Sequence, residues 1–113
     1  MTQKELTKII AKAWNTLDAK AVEPYLSDGF EYESFWVLET MKGKANYVDY
    51  LTGKYDAIRS AGCSVTAESV FQNGIDEYVV VLDQNGLRDA AIQIWTENGL
   101  VTKMWMRPIE LVP

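Results

Sequence analysis

Apolar positions recur with a helical period in the first part of the chain and with strand-like runs in the last. Leu6, Ile9, Ile10, Ala13, Trp14 and Leu17 are spaced to form one stripe along a helix, with Lys4, Lys8, Lys12 and Asn15 off it. Thr2 and Glu5 precede that stripe in capping-box spacing. Asp18 can cap a short second helix, Ala19 to Leu26, which the late Pro24 makes irregular or 3₁₀-like. After the turn Ser27-Asp28-Gly29, Phe30–Ser34 alternates as a strand, and Trp36-Val37-Leu38 continues it or folds back as a short second one. Tyr47, Val48, Tyr50, Leu51, Tyr55 and Ile58 give a broad apolar face to a third helix, Lys44 to Ala61, which Gly62 ends. Four strands are predicted beyond it: Ser64–Gln72, Glu77–Gln84, Leu87–Glu97 and Leu100–Ile109. Helices first and a meander afterwards make an α+β fold with helices on one sheet face.

Register can be counted from the turns. Asn73-Gly74 marks one reversal, while Asn85-Gly86 and Asn98-Gly99 each supply the two consecutive positive-φ residues of a type I′ hairpin. Two-residue loops set Leu82 opposite Asp89, Val80 opposite Ala91, Gln93 opposite Met104 and Ile92 opposite Trp105. One face then collects Val79, Val81, Ala90, Ile92, Ile94, Val101 and Trp105. The other collects Tyr78, Val80, Leu82, Ala91, Trp95, Met104 and Met106, with Asp89 and Gln93 among them. Both faces are apolar, so each needs a cover. Helices cover the second; a second copy of the chain, packed through Val79, Val81, Ile92, Ile94 and Trp105, is expected on the first. The helix-covered face, where Asp89 and Gln93 sit among Tyr78, Trp95, Met104 and Met106, is the expected ligand pocket. There a buried Asp89 without a cation would suit general-base work; a solvated Asp89 near a strand end would be structural only.

Composition narrows the chemistry. The 113 residues are 48% hydrophobic and 24% charged, the size and balance of one globular domain spanning 1–113. No run approaches the roughly 18 apolar residues of a membrane span, and the polar start lacks a signal-peptide core, so a cytoplasmic location is expected. A net charge of −5 with scattered Lys and Arg gives no basic stripe for nucleic acid or an anionic membrane. The chain has no histidine, which removes Ser-His-Asp and Cys-His machinery, imidazole acid–base catalysis and the usual zinc sites. Carboxylates are scattered, so neither metal nor cofactor is expected. Cys63, the single cysteine, follows Gly62 at a helix-to-strand junction and reads as a small packed residue, since no imidazole can activate it.

Several joints resemble the nuclear transport factor 2-like superfamily. They are Trp14-x-x-Leu17-Asp18, Tyr25-Leu26-Ser27-Asp28-Gly29-Phe30-x-Tyr32, Met41-Lys42-Gly43-Lys44-x-x-Tyr47-x-x-Tyr50-Leu51, and the paired strands ending Lys103-Met104-Trp105. The resemblance spans nearly the whole chain. It implies N-terminal helices packed on a strongly curved antiparallel sheet, a cone with a central pocket, often dimeric through the outer sheet face. Superfamily members include ketosteroid isomerases, polyketide cyclases, dehydratases, epoxide hydrolases and non-catalytic binding modules, so fold alone assigns no activity. The chain departs from the catalytic types. It lacks the histidine of the dehydratases and the first-helix Tyr of the isomerases. The Asp-Arg-Asp group of the epoxide hydrolases finds its residue types in Asp83, Arg88 and Asp89, but the counted register separates them. Tyr32, Trp36, Tyr47 and Tyr50 could line such a pocket or form ordinary aromatic core. The expected function is binding of a small apolar or amphipathic molecule. The alternatives are a proton-transfer enzyme (isomerase, cyclase or dehydratase type) using Asp89 and a Tyr, or a structural dimerisation module.

Overall fold

The computed structural model describes residues 1–109, without the side chain of Leu38. Helix α1 runs Gln3–Thr16. Its capping box is formed: the Thr2 hydroxyl accepts from the Glu5 N–H at 3.1 Å, and the Glu5 carboxylate accepts from the Thr2 N–H at 3.0 Å. The helix stops at Leu17, which takes the left-handed conformation usually left to glycine (φ 54). The Leu17 carbonyl freed by that stop accepts a hydrogen bond from the Arg59 guanidinium of the second long helix. Ala19–Tyr25 is a 3₁₀ helix, with Pro24 inside it as expected. Strands β1 (Leu26–Ser34) and β2 (Val37–Lys42) form a hairpin, so the Trp36-Val37-Leu38 segment folds back. Helix α2 spans Lys44–Ala61, and Gly62 ends it in the left-handed conformation. Strands β3 (Val65–Gln72), β4 (Glu77–Gln84), β5 (Leu87–Glu97) and β6 (Leu100–Pro108) complete the chain. The last four residues of the expected domain, 110–113, lie outside the described residues.

All six strands join one sheet in the order β2-β1-β6-β5-β4-β3. The sheet is curved and unclosed. It is mixed rather than wholly antiparallel, because β1 runs parallel to β6 while the other neighbours are antiparallel. Both helices pack on its concave face. Helix α1 lies against β3 and β4, where the buried Thr7 hydroxyl meets the Ser69 hydroxyl at 2.7 Å. Beside it Asn15 pairs with the backbone of Ala67, donating to its carbonyl at 2.8 Å and accepting its N–H at 2.7 Å. That satisfies part of the free rim of β3, which would otherwise offer unpaired backbone groups to another chain.

The Asn-Gly turns have the expected conformation, with positive φ at Asn85, Gly86, Asn98 and Gly99. The register beyond them differs from the counted one. Asp83 faces Arg88, but Leu82 faces Ala90, which leaves Asp89 as an extra, bulged residue. In the next hairpin Thr96 faces Val101 and Trp95 faces Lys103, so Thr102 is the extra residue. Each bulge shifts the ladder by one position. Ile92 therefore opposes Met106 and Ile94 opposes Met104. Val80, Leu82, Ala90, Ile92, Ile94, Met104 and Met106 lie buried on the concave face with Leu6, Ile10, Trp14, Tyr47 and Leu51. Gln93, Trp95, Lys103, Trp105 and Arg107 share the convex face. The shifted register keeps Gln93, Lys103 and Arg107 together outside the core and so avoids the cost of burying them.

Two face assignments are corrected by this. Ile92 and Ile94 belong to the interior and cannot serve an outer-face contact. Val79 and Val81 do face outward, but they are already buried within one chain, packed with Ala91, Val70, Ile75 and Ile109.

A candidate binding cavity under the long helix

A cavity of about 500 Å³ opens between α2, the β1–β2 hairpin and the concave sheet face. Its size falls within the roughly 300–1,000 Å³ usual for small-molecule sites. Residues Tyr50, Lys54, Ala57 and Ile58 of α2 recur every three to four positions, so one helix face forms a continuous wall. Trp14 of α1 also lines it. Every strand contributes as well: Ser34, Val37, Val65, Leu82, Gln84, Asp89, Ala90 and Met106 line it, together with Trp36 and Cys63 from the connections.

The β4–β5 bulge brings Asp89 to this cavity. As the unpaired residue it is carried to the exposed rim, where it forms no ion pair among the described residues. The desolvated setting that a buried base would require is absent. Trp36, Tyr50 and Met106 line the cavity with it. Trp36 stands on the hairpin tip at 56% exposure, edge-on to the exposed Phe35 at 5.7 Å.

Tyr32 and Tyr47 lie behind the wall in an aromatic cluster. Their ring centroids are 4.8 Å apart, Tyr32 is 5.6 Å from Tyr50, and Phe30 is 5.0 Å from Tyr47. Burial raises the Tyr32 hydroxyl well above its ordinary value; the Tyr50 phenol adds to this and the Ser34 hydroxyl partly offsets it. Burial likewise raises Tyr47 and, helped by the charge of Asp18, Tyr55. These phenols remain protonated donors at neutral pH. Met104 is buried core and does not reach the cavity.

Tyr78, Gln93 and Trp95 are not brought to the cavity. Tyr78 lies at the other end of β4, edge-on to Phe71 at 5.2 Å and under the Lys4 ammonium at 5.6 Å. Gln93 and Trp95 are on the convex face. There Trp95 stacks on Trp105 at 6.4 Å, Lys103 lies over both rings, and Arg107 covers Trp105 at 4.2 Å while donating to Gln93.

Most of the lining residues were missed as candidates by sequence reasoning; Lys54, Ala57, Ile58, Ser34 and Val65 are instructive examples. The α2 periodicity held the signal for the first three. Ser34 and Val65 carry no signal of their own, because only the strand order brings them together.

No protein-family model matches the chain, and neither does any curated protein. Solved structures do. An NTF2-like protein of unknown function from Cytophaga hutchinsonii superposes with a TM-score of 0.69 at 17% identity, over 96% of this chain and 90% of that one. The chain has the nuclear transport factor 2-like fold. A SnoaL-like protein of unknown function from Burkholderia thailandensis is similar at TM-score 0.69 and 19% identity, over 94% and 92% of the two chains. An LEH-like epoxide hydrolase from M. tuberculosis shares the nuclear transport factor 2-like fold at TM-score 0.59 and 16% identity, over 94% and 81%. These likenesses concern architecture. Of Asp83, Arg88 and Asp89, only Asp89 reaches the cavity, since Arg88 is turned to Glu68 at 2.7 Å and Asp83 is not among the lining residues.

Proposed function

We propose that the chain binds a small apolar or amphipathic molecule in the cavity under α2. One observation carries the reading: about 500 Å³ of space walled by Trp14, Trp36, Tyr50, Ile58, Val65, Leu82 and Met106, with few polar groups. A mostly apolar hollow with sparse, placed polar atoms is the usual form of a small-molecule site. The test is calorimetric titration with naphthamide, a neutral apolar probe, against the native chain and an Ala57→Trp variant. Ala57 is exposed on α2 at the cavity wall, so a large side chain there occupies the space without disturbing the core. Saturable binding to one site per chain, abolished by Ala57→Trp, is expected. Binding that ignores the substitution would sink the reading. Native mass spectrometry of the purified chain would identify a retained natural ligand.

A proton-transfer role is the second reading, favoured by Asp89 and Tyr50 lining the same cavity. It ranks below binding because Asp89 is solvated at the rim. Turnover that survives Asp89→Asn would remove it. We further propose that two copies associate through the convex face, now centred on Trp95 and Trp105; a monomeric mass in light scattering at micromolar concentration would count against this. A free Cys63 suits a reducing compartment such as the cytoplasm.

A further inference from the structure

The polar atoms around the cavity are unequal in kind. Trp14 is 2% exposed, and its Nε1–H, a donor with no acceptor capacity, has no partner. Lys54 carries three donors, lies half-buried on the α2 wall with its ammonium 6.0 Å from the Tyr50 ring centroid, and forms no ion pair among the described residues. Ser34 is buried but already engaged, its oxygen accepting the Trp36 N–H at 3.3 Å and its hydroxyl meeting the Tyr32 phenol. Tyr50 adds a phenol. Against these donors stand Gln84, exposed and two-sided, and the Asp89 carboxylate on the opposite, sheet side of the rim. A buried donor without an acceptor is costly, and an unpaired ammonium beside apolar walls is poised for a counter-charge.

Resting on the binding reading above, we infer that the natural ligand is an apolar carboxylic acid, its carboxylate directed to Lys54 on α2 and its body against Trp14, Trp36 and Met106. The acid supplies acceptors to the unpartnered donors of Trp14 and Lys54. Asp89 sets the orientation by repelling the anion from the sheet side. A neutral apolar molecule fills the same space but leaves Lys54 unpaired, and an amine places its charge against the wrong wall.

Three probes of one shape separate the possibilities: naphthoate, naphthamide and naphthylmethylammonium, titrated by calorimetry at low and high salt. Naphthoate is expected to bind about tenfold tighter than naphthamide, as a charge-assisted hydrogen bond would give. Lys54→Met should bring the two to equal affinity, and added salt should narrow the gap. Lys54 lies on the helix surface side, and circular dichroism of the variant verifies that it folds. The indole N–H resonance of Trp14 should move on naphthoate binding. Equal affinities in the native chain, tighter binding of the amine, or a preference that survives Lys54→Met would each overturn the inference while leaving the apolar site intact. Failure of all three probes to bind would overturn both readings.

Discussion

Raising the pH should unfold this protein through its buried phenols. Tyr32, Tyr47 and Tyr55 are 1–2% exposed, and burial raises all three above the ordinary value of 10.0. In the unfolded chain they release protons near that value; in the folded chain they do not. Above it the unfolded state therefore binds fewer protons, and stability falls as pH rises. Their contribution is fully present below pH about 9. At about pH 11 each phenol favours the unfolded state by about 1.4 kcal/mol, and the three together by roughly 4 kcal/mol. That is a large part of the roughly 5–15 kcal/mol by which domains are stable. Urea melts followed by circular dichroism between about pH 8 and 11 measure the loss. Phenolate absorbance should show three of the six tyrosines ionising only as the fold is lost. A Tyr47→Phe variant isolates one phenol, and should shed about a third of the loss. Native tyrosines that all ionise with the urea midpoint unmoved would refute the burial argument.

Other outcomes follow from single positions. Gly86 and Gly99 both have positive φ, so alanine at either should cost about 1–2 kcal/mol in a urea melt. Gly99→Ala should cost more, because its Cβ would come within 2.9 Å of the Met1 nitrogen whereas the one at Gly86 meets nothing; equal costs would mean the first residue yields freely. Trp14→Ala should cost about 3–5 kcal/mol, since the ring is buried and edge-on to Tyr55 at 5.0 Å. A loss under about 1 kcal/mol would show the ring is not packed as described. Deleting Asp89 should leave the fold within about 1 kcal/mol of the parent, because Leu82 already faces Ala90. Deleting Ala90 instead would press the Asp89 carboxylate into the core position and destabilise by several kcal/mol. Equal melting temperatures for the two deletions would contradict the bulge.

The elements were legible from sequence wherever one local rule decided them. Helix α2 begins and ends at Lys44 and Ala61 as the apolar spacing and Gly62 predict, and Thr2 with Glu5 marks the start of α1. The hairpins were legible for the same reason: Asn-Gly readily takes the two consecutive positive φ values found there. The bulges were not, because one extra residue in a strand that is apolar on both sides leaves no gap in the pattern. A hint existed in the charges. The counted register set Lys103 against Ile94 on one face and Gln93 against Met104 on the other, while a shift of one residue gathers Gln93, Lys103 and Arg107 on the solvent side. Tracing where each polar side chain lands would have exposed the slip. The candidate site was legible only in part, since Trp36, Tyr50, Asp89 and Met106 meet there while Tyr78, Gln93 and Trp95 lie elsewhere. Its walls come from all six strands, and the β1–β6 adjacency that joins them has no local signature.

That adjacency has a kinetic meaning. Tyr32 pairs with Met104 and Ser34 with Met106 across the one parallel seam among the described residues, between segments far apart in the chain. The hairpins on either side can zip locally, but the seam must wait for a long loop to close, the step that slows folding most. Ser34 and Met106, partners across the seam, both line the hollow. A guest lodged there would bridge the last-formed junction and act as a clasp, stabilising the finished chain in proportion to its concentration.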